Sequence, residues 1–149
     1  NKMKIKENTH RYIEWIDPEE MHRTTLLWLS ELRFMKDEQL FLNNLVKHYT
    51  LQLVDSKIFG KSKAIVTTLT DLEKEAVSLM KKVQAHENKL EIMIDDVDQI
   101  ELEKAYRDTH RELTSSMDHY KEEYWEIKTK LFDLVSSVLK KEKQKRLLN

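Results

Sequence analysis

Residues 106–138 read YRDTHRELTSSMDHYKEEYWEIKTKLFDLVSSV, and this stretch decides the fold. Alternating steps of four and three residues from its first tyrosine reach ten positions, of which nine are apolar. These positions are Tyr106, His110, Leu113, Met117, Tyr120, Tyr124, Ile127, Leu131, Leu134 and Val138. A four-three repeat of this length is typical of a long helix that packs on other helices along one seam.

Two earlier stretches carry the same repeat. The first follows Asp17-Pro18-Glu19-Glu20, where Asp17 is a suitable N-cap and Pro18 suits the first helical position. Its seam is Met21, Thr25, Trp28, Leu32, Met35, Gln39, Leu42, Val46, Tyr49 and Leu53. The second seam is Ile65, Leu69, Leu72, Ala76, Leu79, Val83, His86, Leu90, Met93 and Val97. The pattern therefore predicts three long helices.

The scarcity of helix breakers sets the expected boundaries, because the 149 residues include one Gly and one Pro. Gly60 marks the first turn, as a residue suited to positive φ. The acids Asp95, Asp96 and Asp98 interrupt the pattern at the second turn, where Asp98 suits the cap of the third helix. We predict an all-α fold of three long antiparallel helices, up-down-up, over residues 18–55, 62–95 and 99–141.

These helices are expected to form a single bundle over residues 17–149, with residues 1–16 docking on the bundle end. One alternative concerns the second helix, because Thr70 with Glu73 reads as a capping box and allows a start near Asp71.

Aligning the seams across the two short turns predicts which residues share a layer. One layer contains Leu42, Ala76 and Tyr120, in which a small side chain meets a large ring. Another places His86 and His110 together, facing Leu32. In this register the third helix outruns the other two, so that its last apolar residues have no partner within the chain. These residues are Val135, Val138 and Leu139.

Composition and motifs exclude several functions. The formal net charge is −1, which gives no overall field for nucleic acid. The absence of cysteine excludes disulfides and thiolate metal sites. No apolar run approaches the ~20 residues that span a bilayer, and no motif pairs a nucleophile with a base. We expect a non-enzymatic, cytoplasmic protein without a cofactor or a transmembrane segment.

The His86 and His110 pair allows two interpretations. Two imidazoles are metal ligands, but a structural zinc site uses four ligands and no motif supplies the others. A buried polar layer that fixes the register is the simpler reading. Glu19 and His22 have the Glu-x-x-His spacing of di-iron bundles, but that site needs a second copy of the motif, which the chain lacks.

A second apolar stripe lies beside the seam on two of the helices, with members every seven residues. Leu27, Phe34 and Phe41 form the stripe of the first helix, and Trp125, Phe132 and Leu139 form that of the third. One interpretation is packing within the bundle, because each helix of three faces two partners. The other is a surface for a partner, since two-fold symmetry can lay one stripe on the other twice.

The basic tail is the last feature. A solvated helix end explains it most simply, and binding to an anionic surface is the weaker alternative. Its cations are Lys140, Lys141, Lys143, Lys145 and Arg146.

Taken together, these patterns favour a helical scaffold or protein-interaction module that self-associates as a homodimer or binds another protein. The alternative is a metal- or small-ligand-binding bundle centred on the His pair.

Overall fold

The computed structural model describes residues 17–54, 57–95 and 100–148, with the backbone alone for residues 94, 95, 100 and 101. It is an all-α bundle of three long antiparallel helices and one short helix. The helices are α1 Pro18–His48, α2 Thr50–Leu53, α3 Phe59–Asp95 and α4 Ile100–Leu148. Among the described residues, none forms a β-strand, and no helix has the length and apolar character that crossing a membrane requires.

The seams predicted from the sequence form the core. On α3, all nine described seam residues are buried, and on α4 every seam residue after Tyr106 is buried. The seam that runs through α1 and α2 is buried except at Val46 and Tyr49, which are half-buried. The four-three repeat therefore identifies the buried face of each helix.

Hydrogen bonds between side chains and the backbone occur at both ends of α1. The Oδ1 atom of Asp17 accepts a hydrogen bond from the backbone N–H of Glu20 at 2.8 Å, as expected of an N-cap. At the other end, Tyr49 has a ψ of 17°, and the Thr50 hydroxyl donates to the carbonyls of Val46 and Lys47. The expected first helix is therefore interrupted at Tyr49: α1 stops at His48 instead of residue 55, and α2 follows at once.

Three other boundary expectations need correction. Gly60 does not end a helix, because α3 begins at Phe59 and Gly60 lies in its first turn. The alternative start near Asp71 is wrong, since α3 is continuous through Thr70, whose hydroxyl bonds the carbonyl of Val66. The third helix does not stop near residue 141 but continues to Leu148. The expected docking of residues 1–16 and the cap by Asp98 lie outside the described residues.

The packing divides into two compact units. Unit 1 contains the described residues of Asn1–Phe34 and Val77–His119, and unit 2 those of Met35–Ala76 and Tyr120–Asn149. Each long helix contributes a segment to both units, and the expectation of a single domain over residues 17–149 stays a prediction.

In unit 1, Met21, Leu90 and Met93 form a buried cluster against which Tyr106 packs. Tyr106 beside Leu90 agrees with the predicted alignment of α3 and α4. Met21 beside Leu90 places α1 seven residues away from the predicted alignment, which put Trp28 opposite Leu90. A shift of one heptad keeps every apolar residue on the seam, so the repeat cannot distinguish the two alignments.

In unit 2, the predicted layer residues Leu42, Ala76 and Tyr120 are all buried. The Tyr120 hydroxyl accepts a hydrogen bond from Nε2 of Gln39 at 3.3 Å, which joins α1 to α4 three residues before Leu42. Asn43 donates to Oε1 of Glu73 and joins α1 to α3.

The expected overhang of the third helix is wrong in part. Val135 and Val138 are buried, whereas Leu139 is 44% exposed. The α2 segment reaches this part of α4, because Gln52 donates a hydrogen bond to Glu142. The chain therefore covers α4 about two turns further than the seam alignment predicted.

We predict that Ala76→Leu destabilises the protein, because a larger side chain at this buried position overpacks the core. The free energy of unfolding, measured by urea denaturation, should fall by about 1–3 kcal/mol. Ala85→Leu is the matched control, since Ala85 lies on the same helix but is exposed, and it should leave the value nearly unchanged. Equal effects at the two positions would show that Ala76 is not in a tightly packed layer.

Candidate functional site

The most unusual buried feature of unit 1 is a pair of histidines. His86 on α3 and His110 on α4 are 2% and 1% exposed. Nε2 of His86 lies 3.0 Å from Nδ1 of His110, a distance that fits a hydrogen bond between neutral rings. The predicted proximity of the two residues is confirmed.

Trp28 of α1 covers the pair. Its ring stacks on His110 with 4.7 Å between ring centroids and an interplanar angle of 22°. The sequence alignment predicted that Leu32 faces the pair. Leu32 is buried, but the aromatic ring that stacks on the imidazole comes from one turn earlier. The indole covers one face of the His110 ring and shields it from water.

The hydrogen bond between the rings leaves one polar atom without a partner. Nδ1 of His86 is buried and has no hydrogen-bond partner among the described residues. If His86 donates through Nε2, this Nδ1 is an unsatisfied acceptor, and with the other tautomer it is an unsatisfied N–H donor. Either case costs free energy, because a buried polar group without a partner loses its hydration.

Burial also controls the charge of the pair. It lowers the pKa of His86 to about 4, and the nearby positive charge of Lys89 adds to the effect. Burial lowers the pKa of His110 to about 3, with a further contribution from the charge on His86. Both rings are therefore neutral at physiological pH.

A second contact in unit 1 involves the carboxylate beside the pair. Oε1 of Glu87 lies 2.9 Å from Nε2 of His22, and its Oε2 accepts from Nε2 of Gln84 at 3.0 Å. Sequence reasoning considered His22 only with Glu19, and it missed this contact because the predicted alignment of α1 with α3 did not bring His22 close to Glu87.

A metal centre at the pair would need more ligands than these. Among the residues that the structure describes, no group of three or more His, Cys, Asp or Glu side chains is placed to hold a metal ion. The side chains of Asp95, Asp96, Asp98 and Glu101 lie outside the described residues.

In unit 2, a polar cluster joins α1 to α4 around Glu38. Oε1 of Glu38 accepts hydrogen bonds from the Tyr124 hydroxyl at 2.5 Å and from Nζ of Lys128 at 3.0 Å. Burial alone would raise the pKa of Glu38, but these two donors outweigh it and lower the pKa. Burial and the contact with Glu38 raise the pKa of Tyr124 above its ordinary value. The seam pattern gave no signal for this cluster because Glu38 and Lys128 flank the seam.

The two apolar stripes lie on the surface. All six residues are 41–65% exposed: Leu27, Phe34, Phe41, Trp125, Phe132 and Leu139. This exposure favours the interpretation of a surface for a partner over that of packing within the bundle. Their neighbours Leu26 and Leu40 are also exposed, at 44% and 65%, and broaden the stripe of α1.

The basic tail belongs to α4 and is helical to Leu148. All five of its cations are exposed: Lys140, Lys141, Lys143, Lys145 and Arg146. Leu147 and Leu148, which follow them, are 78% and 86% exposed.

Comparison of the chain with known protein families, with curated proteins and with solved structures finds no match. The function must therefore be argued from the geometry alone.

The histidine pair predicts a fall in stability at acid pH. Since both pKa values are lower in the folded protein than the ~6.5 of a free histidine, the unfolded chain binds protons first as the pH drops. The stabilisation is complete above about pH 6.5 and is lost by about 1.4 kcal/mol per histidine for each further pH unit. Urea denaturation at about pH 7.5 and pH 5 should differ by roughly 3–4 kcal/mol.

Replacing both rings isolates their contribution. The double variant His86→Leu with His110→Leu should lose most of this pH dependence. His48→Gln is the control, because His48 is exposed, and it should keep the dependence. The explanation fails if the double variant responds to pH as the wild type does.

Proposed function

We propose that the protein is a non-catalytic helical scaffold or protein-interaction module that self-associates through its two exposed apolar stripes. The supporting observation is the exposure of all six stripe residues, three of which are Phe34, Phe41 and Trp125 at 56–65%. Large aromatic side chains that remain exposed in rows usually mark an interaction surface, because burying them against a partner is strongly favourable.

The spacing of the stripes supports a second copy as the partner. Both stripes have a seven-residue period, so an antiparallel arrangement brings three pairs into register at once. In one such register, Leu27 lies opposite the partner's Leu139, Phe34 opposite the partner's Phe132, and Phe41 opposite the partner's Trp125. Two-fold symmetry repeats this contact, because each chain offers both stripes.

The residues between the stripe positions are compatible with this contact. In the same register Ser30 lies opposite the partner's Ser136, and Asp37 lies opposite the partner's Thr129. The two serines are small enough to let the helices approach, and the carboxylate of Asp37 can accept a hydrogen bond from the hydroxyl of the partner's Thr129.

The alternative function, a metal- or ligand-binding bundle centred on His86 and His110, has less support. The two rings contact each other directly, and the neighbouring carboxylate of Glu87 is already bonded to His22 and Gln84. Zinc found in stoichiometric amount in purified protein would favour this alternative.

Multi-angle light scattering at tens of micromolar protein tests self-association. The wild type should have the mass of a dimer. The variant Phe132→Glu with Leu139→Glu should have the mass of a monomer, because two charges placed in an apolar interface would be buried without partners. Far-ultraviolet circular dichroism should show unchanged helix content, since both residues are exposed.

A matched control separates the stripe from exposed apolar residues in general. Val77 and Ile92 on α3 are 53% and 67% exposed and lie outside both stripes. The variant Val77→Glu with Ile92→Glu adds the same charge and should stay dimeric. A monomeric wild type, or equal dissociation of the two variants, contradicts the proposal.

A further inference from the structure

One end of unit 2 concentrates positive charge. We define the basic end as residues 51–54, 57–63 and 140–148, which contain most of α2, the start of α3 with the two residues before it, and the last turns of α4. Among these described residues the one carboxylate is that of Glu142, which accepts a hydrogen bond from Gln52. The cations are Lys57, Lys61, Lys63, Lys140, Lys141, Lys143, Lys145 and Arg146.

The three segments of the basic end are neighbours. Besides the contact between Gln52 and Glu142, they share a groove of about 250 Å³. Its lining includes Leu51 and Ile58 together with Lys141 and Lys145 of α4. The positive charges of α4 are therefore close to α2 and the start of α3.

The basic end also exposes several large apolar side chains. Leu51 and Leu148 are 85% and 86% exposed, and Leu147 is 78% exposed. Val54 and Phe59 are about half exposed, at 50% and 48%. Large apolar side chains and lysines are thus exposed together at this end of unit 2, and none of these residues belongs to the stripes.

We propose that the basic end binds the surface of anionic phospholipid membranes. Its cations would contact the headgroups, and Leu51, Leu147 and Leu148 would enter the boundary between headgroups and acyl chains. This combination of positive charge with exposed apolar side chains is what binding in the membrane interface requires, because each contribution alone is weak.

Nucleic acid fits this surface less well. It would use the cations but gain little from the leucines, because single strands stack their bases on aromatic rings. Phe59 is the one aromatic side chain among the described residues of the basic end. The apolar contribution therefore distinguishes the lipid partner from a polyanion in general.

Vesicle flotation with the full chain tests the proposal. Protein should float with vesicles of phosphatidylcholine that contain about one third phosphatidylserine, but not with phosphatidylcholine alone. Binding should weaken steeply between about 0.1 M and 0.5 M salt, because the charges are exposed and screened. A DNA oligonucleotide of matched charge should compete poorly.

Two variants separate the charged and apolar contributions. The triple variant Lys143→Gln, Lys145→Gln and Arg146→Gln should reduce the partition coefficient by about 100-fold, since each cation contributes roughly fivefold. The variant Leu147→Ser with Leu148→Ser keeps the charge and should reduce partitioning by about tenfold or more. Circular dichroism confirms that each variant folds.

The control triple variant Lys74→Gln, Lys81→Gln and Lys82→Gln removes three exposed cations of α3 outside the basic end and should float as the wild type does. The proposal is overturned if the wild type fails to float with anionic vesicles. It is also overturned if the control triple loses as much binding as the basic-end triple, or if the leucine variant binds normally. The Phe132→Glu, Leu139→Glu variant keeps every cation of the basic end and should still float with anionic vesicles, although its added negative charge beside Lys140 weakens the attraction.

Discussion

Burial of three long apolar seams, with hydrogen-bond partners for the polar side chains among them, is the constraint on which the structure depends. Four seam positions are polar, and each side chain makes a hydrogen bond, although Nδ1 of His86 has no partner among the described residues. The hydroxyl of Thr25 donates to the carbonyl of Met21, Gln39 bonds Tyr120, and His86 bonds His110. Without such partners these positions would have to be apolar, because burying a polar group that has no hydrogen bond costs about 1–3 kcal/mol of stability. The polar pairs also favour one alignment of the helices, because an alignment that separated the two members of a pair would bury both without their hydrogen bond.

The histidine layer in unit 1 and the glutamine–tyrosine layer in unit 2 differ in one chemical respect. Gln39 does not titrate, and burial raises the pKa of Tyr120 to about 12, so that layer keeps its charge state across the physiological range. The histidine layer combines two titratable rings with the unpartnered Nδ1 of His86. Acid therefore affects the contacts of unit 1 more directly than the glutamine–tyrosine contact of unit 2.

Much of the fold follows from the spacing of apolar residues, and the errors have physical causes. The repeat predicts the three helices, their buried faces and the contact between His86 and His110. It does not fix the position of α1 along the other two helices, because a displacement from one seam residue to the next keeps apolar side chains in the core, and Trp28 instead of Leu32 therefore stacks on His110. It could not predict the break at Tyr49, because the apolar spacing continues unchanged through that residue to Leu53. The cluster of Glu38, Tyr124 and Lys128 depends on side chains beside the seam. The sequence did not decide whether the stripes are buried or exposed, because packing within the bundle and binding to a partner require the same spacing of apolar residues.

The composition of the two units has a consequence for the order of folding. Each unit contains a contact between helices that follow one another in the chain. In unit 1, His86 contacts His110 at a separation of 24 residues, and in unit 2, Asn43 contacts Glu73 at a separation of 30. Each also contains a distant contact, such as His22 with Glu87 at 65 residues or Gln39 with Tyr120 at 81. Closing the longer loops costs more chain entropy, so we expect the local pairs to form first and the remaining helix of each unit to dock later. Pulsed hydrogen exchange during refolding should then protect the amides of the pair α3 and α4 in unit 1 before those of the first turns of α1. Simultaneous protection of all three helices would exclude this order.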